Sequence, residues 1–153
     1  MKTILITGAA GGVGQAVARR FMAGGWQVIG TDLVAADGVD FVADLTEVSE
    51  CRRVVAEAAA LHGGLDGVVL AAGVWTEGDS SMTTEAEYDR CFDVNVKATY
   101  FTISAAIAHL VETAGWITAL SSDAGVQGNS GAAVYSATTV SYTHLTLPTK
   151  RIV

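Results

Sequence analysis

Proline is almost absent: the only one among 153 residues is Pro148, near the end. A body without proline cannot use it to stop helices or blunt strands, so turns must be marked in another way. Cysteine is nearly as scarce. Cys51 and Cys91 stand alone in no metal-ligand or redox spacing, which excludes a disulfide framework and predicts a reducing, cytoplasmic setting. Positive charge is also thin, with nine Lys+Arg against sixteen Asp+Glu for a net charge of −7. That balance excludes a nucleic-acid partner, which would need a basic face. No apolar run approaches the ~20 residues that span a bilayer. The opening Thr3-Ile4-Leu5-Ile6 dissolves into Gly8, Gly11, Gly12 and Gly14 followed by Arg19-Arg20, unlike a secretory segment, so no membrane partner is expected.

Hydrophobic residues make up 50% of the chain and glycines number seventeen. With a mean hydropathy of +0.39, such a chain can fill one core and is not disordered. The glycines punctuate an alternation of short apolar strands and amphipathic helices. Met1–Thr7 reads as a buried strand. Gly12–Ala23 reads as a helix, with Val13, Val17 and Phe21 at spacing four and Gly24-Gly25 after it. Gln27–Asp32 and Val39–Ala43 read as strands too close together for a full crossover helix. A helix capped by Thr46 runs to His62, and strand Gly67–Ala71 follows. Thr84–Thr113 is a long helix or a broken pair, and Trp116–Leu120 is the fifth strand. This rhythm predicts the α/β class: a parallel sheet of five strands with right-handed crossovers over residues 1–139.

The first chemical signal is Thr7-Gly8-Ala9-Ala10-Gly11-Gly12-Val13-Gly14, set between a strand and a helix. Glycines there let backbone N–H groups and a helix N-terminus approach a pyrophosphate. Asp32, at the end of the second strand, is placed to accept hydrogen bonds from a ribose. Its carboxylate would repel a 2′-phosphate, and Ala9, Ala10 and Leu33 supply no positive charge, so NAD is expected over NADP. The competing reading makes Asp32 a helix N-cap.

These residues resemble the short-chain dehydrogenase/reductase family. Gly8, Gly12 and Gly14 fit its TGxxxGxG motif, while Gly8, Gly11 and Gly14 fit the GxxGxxG of its extended, epimerase-like branch. Asp44-Leu45-Thr46 resembles the family's adenine-contacting site. Leu70-Ala71-Ala72-Gly73 resembles its Asn-Asn-Ala-Gly strand end, with Ala71 in place of an Asn. Asp93-Val94-Asn95-Val96 matches the segment carrying the catalytic Asn, and Ser122 and Tyr135 match the Ser…Tyr pair. The resemblance covers residues 1–138 and favours the single-domain branch. It implies a Rossmann-like, doubly wound parallel sheet with its five strands in order 3-2-1-4-5, and a cofactor bound through Thr7, Gly8, Gly12, Val13, Gly14, Asp32, Leu33, Asp44, Leu45, Ala72 and Gly73. It also implies a small alcohol or ketone substrate and a homodimeric or homotetrameric intact protein.

The same resemblance assigns roles. Tyr135 is the general acid/base, and its phenol needs a nearby cation to act at neutral pH. Ser122 bonds the reacting oxygen. Asn95 bonds through its amide to a water in a proton relay. Taken singly, each has a plainer reading: Ser122 closes a strand-end turn, Asn95 satisfies backbone, and Tyr135 is a core aromatic. Trp75 reads more readily as a core or surface side chain than as an edge of the active site. Gln127, Asn129 and Ser130 face the pocket on this reading and hint at a polar substrate.

The pattern breaks at Thr139, where the family's Tyr-x-x-x-Lys requires a lysine to lower the phenol pKa. Residues 140–149, Val-Ser-Tyr-Thr-His-Leu-Thr-Leu-Pro-Thr, read as non-helical and resemble the translation of a transposase adapter used to prepare sequencing libraries. Residues 140–153 are therefore expected to be a non-native, disordered tail, with Thr139 a hybrid codon and the family's C-terminal strands missing. On that reading the chain itself is inactive, and Trp116, Ile117, Ala119 and Leu120 of the fifth strand are left partly uncovered. Two other functions fit: a non-catalytic dinucleotide-binding regulator, or an epimerase or dehydratase of the extended branch.

Overall fold

A computed structural model describes residues 1–145. Five strands form one parallel sheet in the order β3-β2-β1-β4-β5: β1 (Thr3–Thr7), β2 (Gln27–Asp32), β3 (Phe41–Val42), β4 (Gly67–Leu70) and β5 (Trp116–Ala119). The expected class and strand order are both observed. The helices are α1 (Gly12–Ala23), α2 (Val48–Leu61), α3 (Glu85–Phe92), α4 (Thr99–Thr113) and α5 (Ala133–Val140).

Side chains alternate across a strand, so each interior strand feeds two cores. Leu5, Ile29 and Val68 face Val54, Val55, Ile103 and Leu110 of α2 and α4. Ile4, Ile6 and Val69 face Ala18 and the half-buried Phe21 of α1. The apolar run of β1 is therefore buried along its whole length, as expected of a parallel strand covered on both faces. The edge strand differs: Trp116 and Leu120 remain exposed and Ile117 and Ala119 half-buried. Trp116 finds partial cover beside Phe21 and Trp26, with ring centroids 5.8 and 6.2 Å away.

Several boundaries shift for local reasons. No helix joins β2 to β3. Thr46 does not cap α2, because its hydroxyl is committed to Asp44 Oδ1 at 2.7 Å; the N-cap is Glu47, without a side-chain bond. The Thr84–Thr113 segment is one continuous path rather than two helices. It opens at Thr84 with a reciprocal capping box to Glu87, then passes through a π-helical turn, Asp93–Ala98, into α4. Beyond Tyr135 the helix also runs further than expected. It continues through Val140 into a 3-10 turn, Ser141–Thr143, and Leu145 packs on the larger core. Residues 146–153 lie outside the described residues.

Candidate active site

The carboxyl ends of β1, β2 and β4 open onto a groove of about 340 Å³. Its floor is shaped by missing side chains. Gly8 has φ 67°, and a Cβ there would lie 2.7 Å from Ala72 N and 2.8 Å from Ala71 O. A Cβ on Gly14 would overlap the Gly8 carbonyl oxygen. Only glycine allows the loop to lie so close to β4 and to the first turn of α1. Thr7 locks that approach, accepting the Ala72 N–H at 3.2 Å, a bond that holds β4's end although Ala71 has no polar side chain. At the head of α1, Gly11 is an N-cap with no side-chain bond. The first N–H groups of this helix are thus left for another acceptor.

Asp32 is not a helix cap, since no helix follows it. Its Oδ2 accepts the Ala10 N–H at 2.9 Å and its Oδ1 the Val34 N–H at 3.3 Å, so the carboxylate ties the glycine loop to the end of β2. Leu33, Asp44, Leu45, Ala72 and Gly73 line the same groove, with Gly8 and Asp32. Thr7, Gly12, Val13 and Gly14 support it from the loop and helix rather than from its lining. Asp44 Oδ1 also accepts the Thr46 N–H at 3.0 Å, which fixes the turn after β3.

The second cluster sits past β4 and β5. Asn95 lies in the π-helical turn and is 2% exposed. Its Oδ1 accepts the Val74 N–H at 2.8 Å, and its Nδ2 donates to the Val74 carbonyl and to Thr138 Oγ1, both at 3.0 Å. Both amide donors are therefore committed to protein. The expected water relay through this amide must be revised, because the side chain clamps the β4–α3 loop to α5 instead. The Asn95 backbone carbonyl does accept a proton donor: the Tyr142 hydroxyl, at 2.6 Å. Burial pushes the Tyr142 phenol pKa up, while a bond with Thr99 pulls it partly back.

Ser122 caps the 3-10 turn Asp123–Gly125, accepting the Ala124 N–H at 3.2 Å and donating to Asp123 at 3.1 Å. The turn-closing bond anticipated for it thus exists. Tyr135 stands on α5, joined to the Asn95 clamp through Thr138, whose hydroxyl donates to the Tyr135 carbonyl at 2.7 Å. Ser121 draws the serine segment to the same helix by donating to the Thr139 carbonyl at 3.2 Å. Among the described residues the Tyr135 hydroxyl has no hydrogen bond with Ser122 or any other group. Thr139 is buried, its hydroxyl turned back to the Ser136 carbonyl at 2.9 Å.

Trp75 reads from the sequence as core or surface rather than as an edge of the site, and Arg90 escapes sequence reasoning altogether. Trp75 packs on the Tyr135 ring with centroids 4.4 Å apart while remaining 50% exposed. Its loop is held to the serine loop by the Gly78 N–H bond to the Gly131 carbonyl at 2.7 Å. Arg90 lines the groove from α3. The first could be found only from a long-range contact. The second was visible as a cation one helical turn before Val94.

Fold and groove together define a parallel α/β protein with a glycine-loop cleft at the carboxyl edge of its sheet. The sequence profile of the short chain dehydrogenase family matches residues 2–151. The chain belongs to that family. It is 33% identical over 142 residues to an acetoacetyl-CoA reductase of Synechocystis sp., covering 90% of this chain and 59% of the relative. It is 32% identical over 158 residues to a meso-2,3-butanediol dehydrogenase of Serratia marcescens, covering 95% and 62%. The chain thus spans about three fifths of the curated relatives it matches. A solved short-chain dehydrogenase/reductase from Serratia marcescens superposes with a TM-score of 0.91 at 25% identity, covering 98% of this chain and 67% of that one. An NADH-dependent reductase, A1-R', solved in complex with NAD, superposes at 0.89 with 26% identity, covering 96% and 70%. Among the described residues, no helix is long and apolar enough to cross a membrane.

Proposed function

We propose that the protein binds NAD in the groove and that its full-length form interconverts a small alcohol and its ketone. The observation that carries this reading is the Asn95 clamp. One buried amide joins the loop after β4, whose Val74 lines the groove, to the tyrosine helix, which supports Tyr135 acting at the reacting end of the cleft. When bound, the nicotinamide supplies or accepts hydride. The protein's own residues handle position and proton. Gly8, Gly12, Val13 and Gly14 present the open loop and helix N-terminus to the pyrophosphate. Asp32 and Leu33 stand at the ribose, Asp44 and Leu45 at the adenine, and Ala72 and Gly73 line the passage toward the reacting end.

Tyr135 then exchanges the proton of the substrate oxygen, and Ser122 donates to that oxygen. For Ser122 this means surrendering its bond to Asp123. Asp32 disfavours a 2′-phosphate by charge, so calorimetric titration should give NAD at least about tenfold tighter than NADP; tighter NADP would reverse the assignment. The exposed Tyr100, Ile107 and Val111 of α4 supply an apolar face for the homodimer or homotetramer, which the molar mass of the full-length protein from light scattering tests.

Thr139 decides how much turnover this chain has. A neutral, internally bonded hydroxyl cannot favour the Tyr135 phenolate as a neighbouring ammonium would. Little NAD-dependent alcohol oxidation is expected from the chain as it stands, and a full-length protein with lysine at position 139 should turn over at least about tenfold faster than the same protein with threonine there. A second reading, nucleotide binding without catalysis, is favoured by how completely Thr139 is buried and bonded. NAD binding with no turnover in either form would select it. We also infer that residues 140–153 are non-native, supported by their resemblance to an adapter translation and by the departure at Thr139. Sequencing the intact locus tests this, and finding Val140–Thr149 encoded there would end it.

A further inference from the structure

One wall of the groove is a continuous helical stripe: Arg90 of α3 and Val94 and Ala98 of the π-helical turn stand at successive spacings of four and line the cleft together with Asp44 and Leu45. Ala98 is buried, Val94 half-buried and Arg90 exposed, so the face runs from the closed depth of a slot to its mouth. Side chains on a helix lean toward its N-terminus, and Arg90 is the member nearest that end. Among the described residues it is also the only positively charged one lining the groove, which otherwise carries the carboxylates Asp32 and Asp44.

The Arg90 guanidinium is uncommitted. Among the described residues it makes no hydrogen bond or ion pair, although acids stand at both helical neighbour positions. Glu87, one turn before it, is folded back on Thr84, accepting that residue's N–H at 2.9 Å and hydroxyl at 2.8 Å. Asp93, one turn after it, is paired with Lys97 at 3.5 Å. Arg53 on α2 shows the contrast, since it is gripped by Glu50 and Glu57 at 2.7 and 3.0 Å. Local pairing has thus removed both candidate partners and left a planar cation at the rim of an apolar slot.

We propose that Arg90 is a nucleobase-binding residue whose guanidinium plane stacks on the exposed face of the adenine held between Leu45 and Val94. This rests on the dinucleotide reading above and adds to it a contact that closes the slot mouth. A flat heterocycle entering edge-on between two aliphatic walls keeps its outer face in water. A guanidinium covers such a face through dispersion and cation–π attraction while keeping its own N–H groups solvated. A lysine has the charge without the plane.

The test is calorimetric titration of the 153-residue chain with adenosine, AMP and NAD, comparing the unaltered protein with Arg90→Ala and Arg90→Lys. The exposed position should leave the fold intact, which equal urea midpoints verify. Arg90→Ala is expected to weaken all three ligands by about tenfold, adenosine included, and Arg90→Lys to recover little of the loss. If adenosine is unaffected while AMP and NAD weaken and lysine restores them, Arg90 contacts phosphate and the stacking role is wrong. Equal affinities across the three proteins would also overturn it. Should the unaltered protein bind none of the ligands, the dinucleotide reading itself fails, which is a distinct result.

Discussion

The two ends of the sheet's carboxyl edge are built by opposite means. Around β1, α1 and β2 the cleft exists because side chains are missing: Gly8 sits against β4, and Gly14 sits under the Gly8 carbonyl. Around β5 and α5 the cluster exists because side chains are spent. Asn95, Thr138 and Ser121 each donate a hydrogen bond that holds the segment carrying Tyr135, and Ser122 closes the turn before it. The strands differ in the same sense, with β1 wholly buried and β5 alternately exposed and half-buried. A site made of backbone is rigid with its strands. A site made of side-chain bonds depends on partners far away in sequence, and it weakens when any one of them changes.

The largest effect should come from filling the backbone-built end. Gly14→Ala places a Cβ onto backbone that cannot rotate away, so it should cost about 3 kcal/mol or more in urea unfolding and abolish NAD binding. A near-neutral result would mean that the loop gives way and is not rigid. Next comes the side-chain-built end. Asn95→Ala strands the Val74 N–H and carbonyl and cuts the link to Thr138, for a loss of about 2–3 kcal/mol. AMP affinity should change by less than about twofold, because the adenosine end belongs to the other region. Equal damage to AMP binding would erase the distinction between the two ends.

That distinction also explains what could be read from the sequence. The Gly12–Ala23 helix and the Gln27–Asp32 strand were legible to the residue, because glycine punctuation and apolar spacing act locally. The parallel sheet followed from the alternation of elements, and its strand order from the family resemblance. Asp32 was legible as a groove residue but not as the clasp on Ala10, since that bond joins positions on separate elements. The π-helical turn left no mark in Asp93-Val94-Asn95-Val96. Its local pattern is helical throughout, and the widened turn shows only in the backbone. Helix end points past Tyr135 were misjudged because β-branched and polar residues at 138–143 have weak helix propensity, and packing outweighs it. Tyr142 and Leu145 reach cover on the π turn and the larger core. The Trp75–Tyr135 contact spans two loops, and no spacing rule encodes it.

The smallest effect, and the one with a pH signature, concerns Tyr142. Its hydroxyl satisfies the Asn95 carbonyl at 2.6 Å, so Tyr142→Phe leaves that acceptor short and should cost about 1 kcal/mol at neutral pH. Burial raises the folded-state pKa of this phenol above its ordinary value. The unfolded chain therefore releases the proton first, near pH ~10. The stabilisation is complete below that pH and is lost as pH climbs from there through the higher folded value. Urea midpoints followed from pH 7 to 11 should accordingly fall more steeply in the unaltered protein than in Tyr142→Phe, and the two curves should converge at the alkaline end. Parallel curves would mean that the phenol stays accessible to water and that the clamp ends at Thr138. In that case the segment after Val140 adds nothing to the side-chain-built end, and the contrast with the glycine-built end would be sharper still.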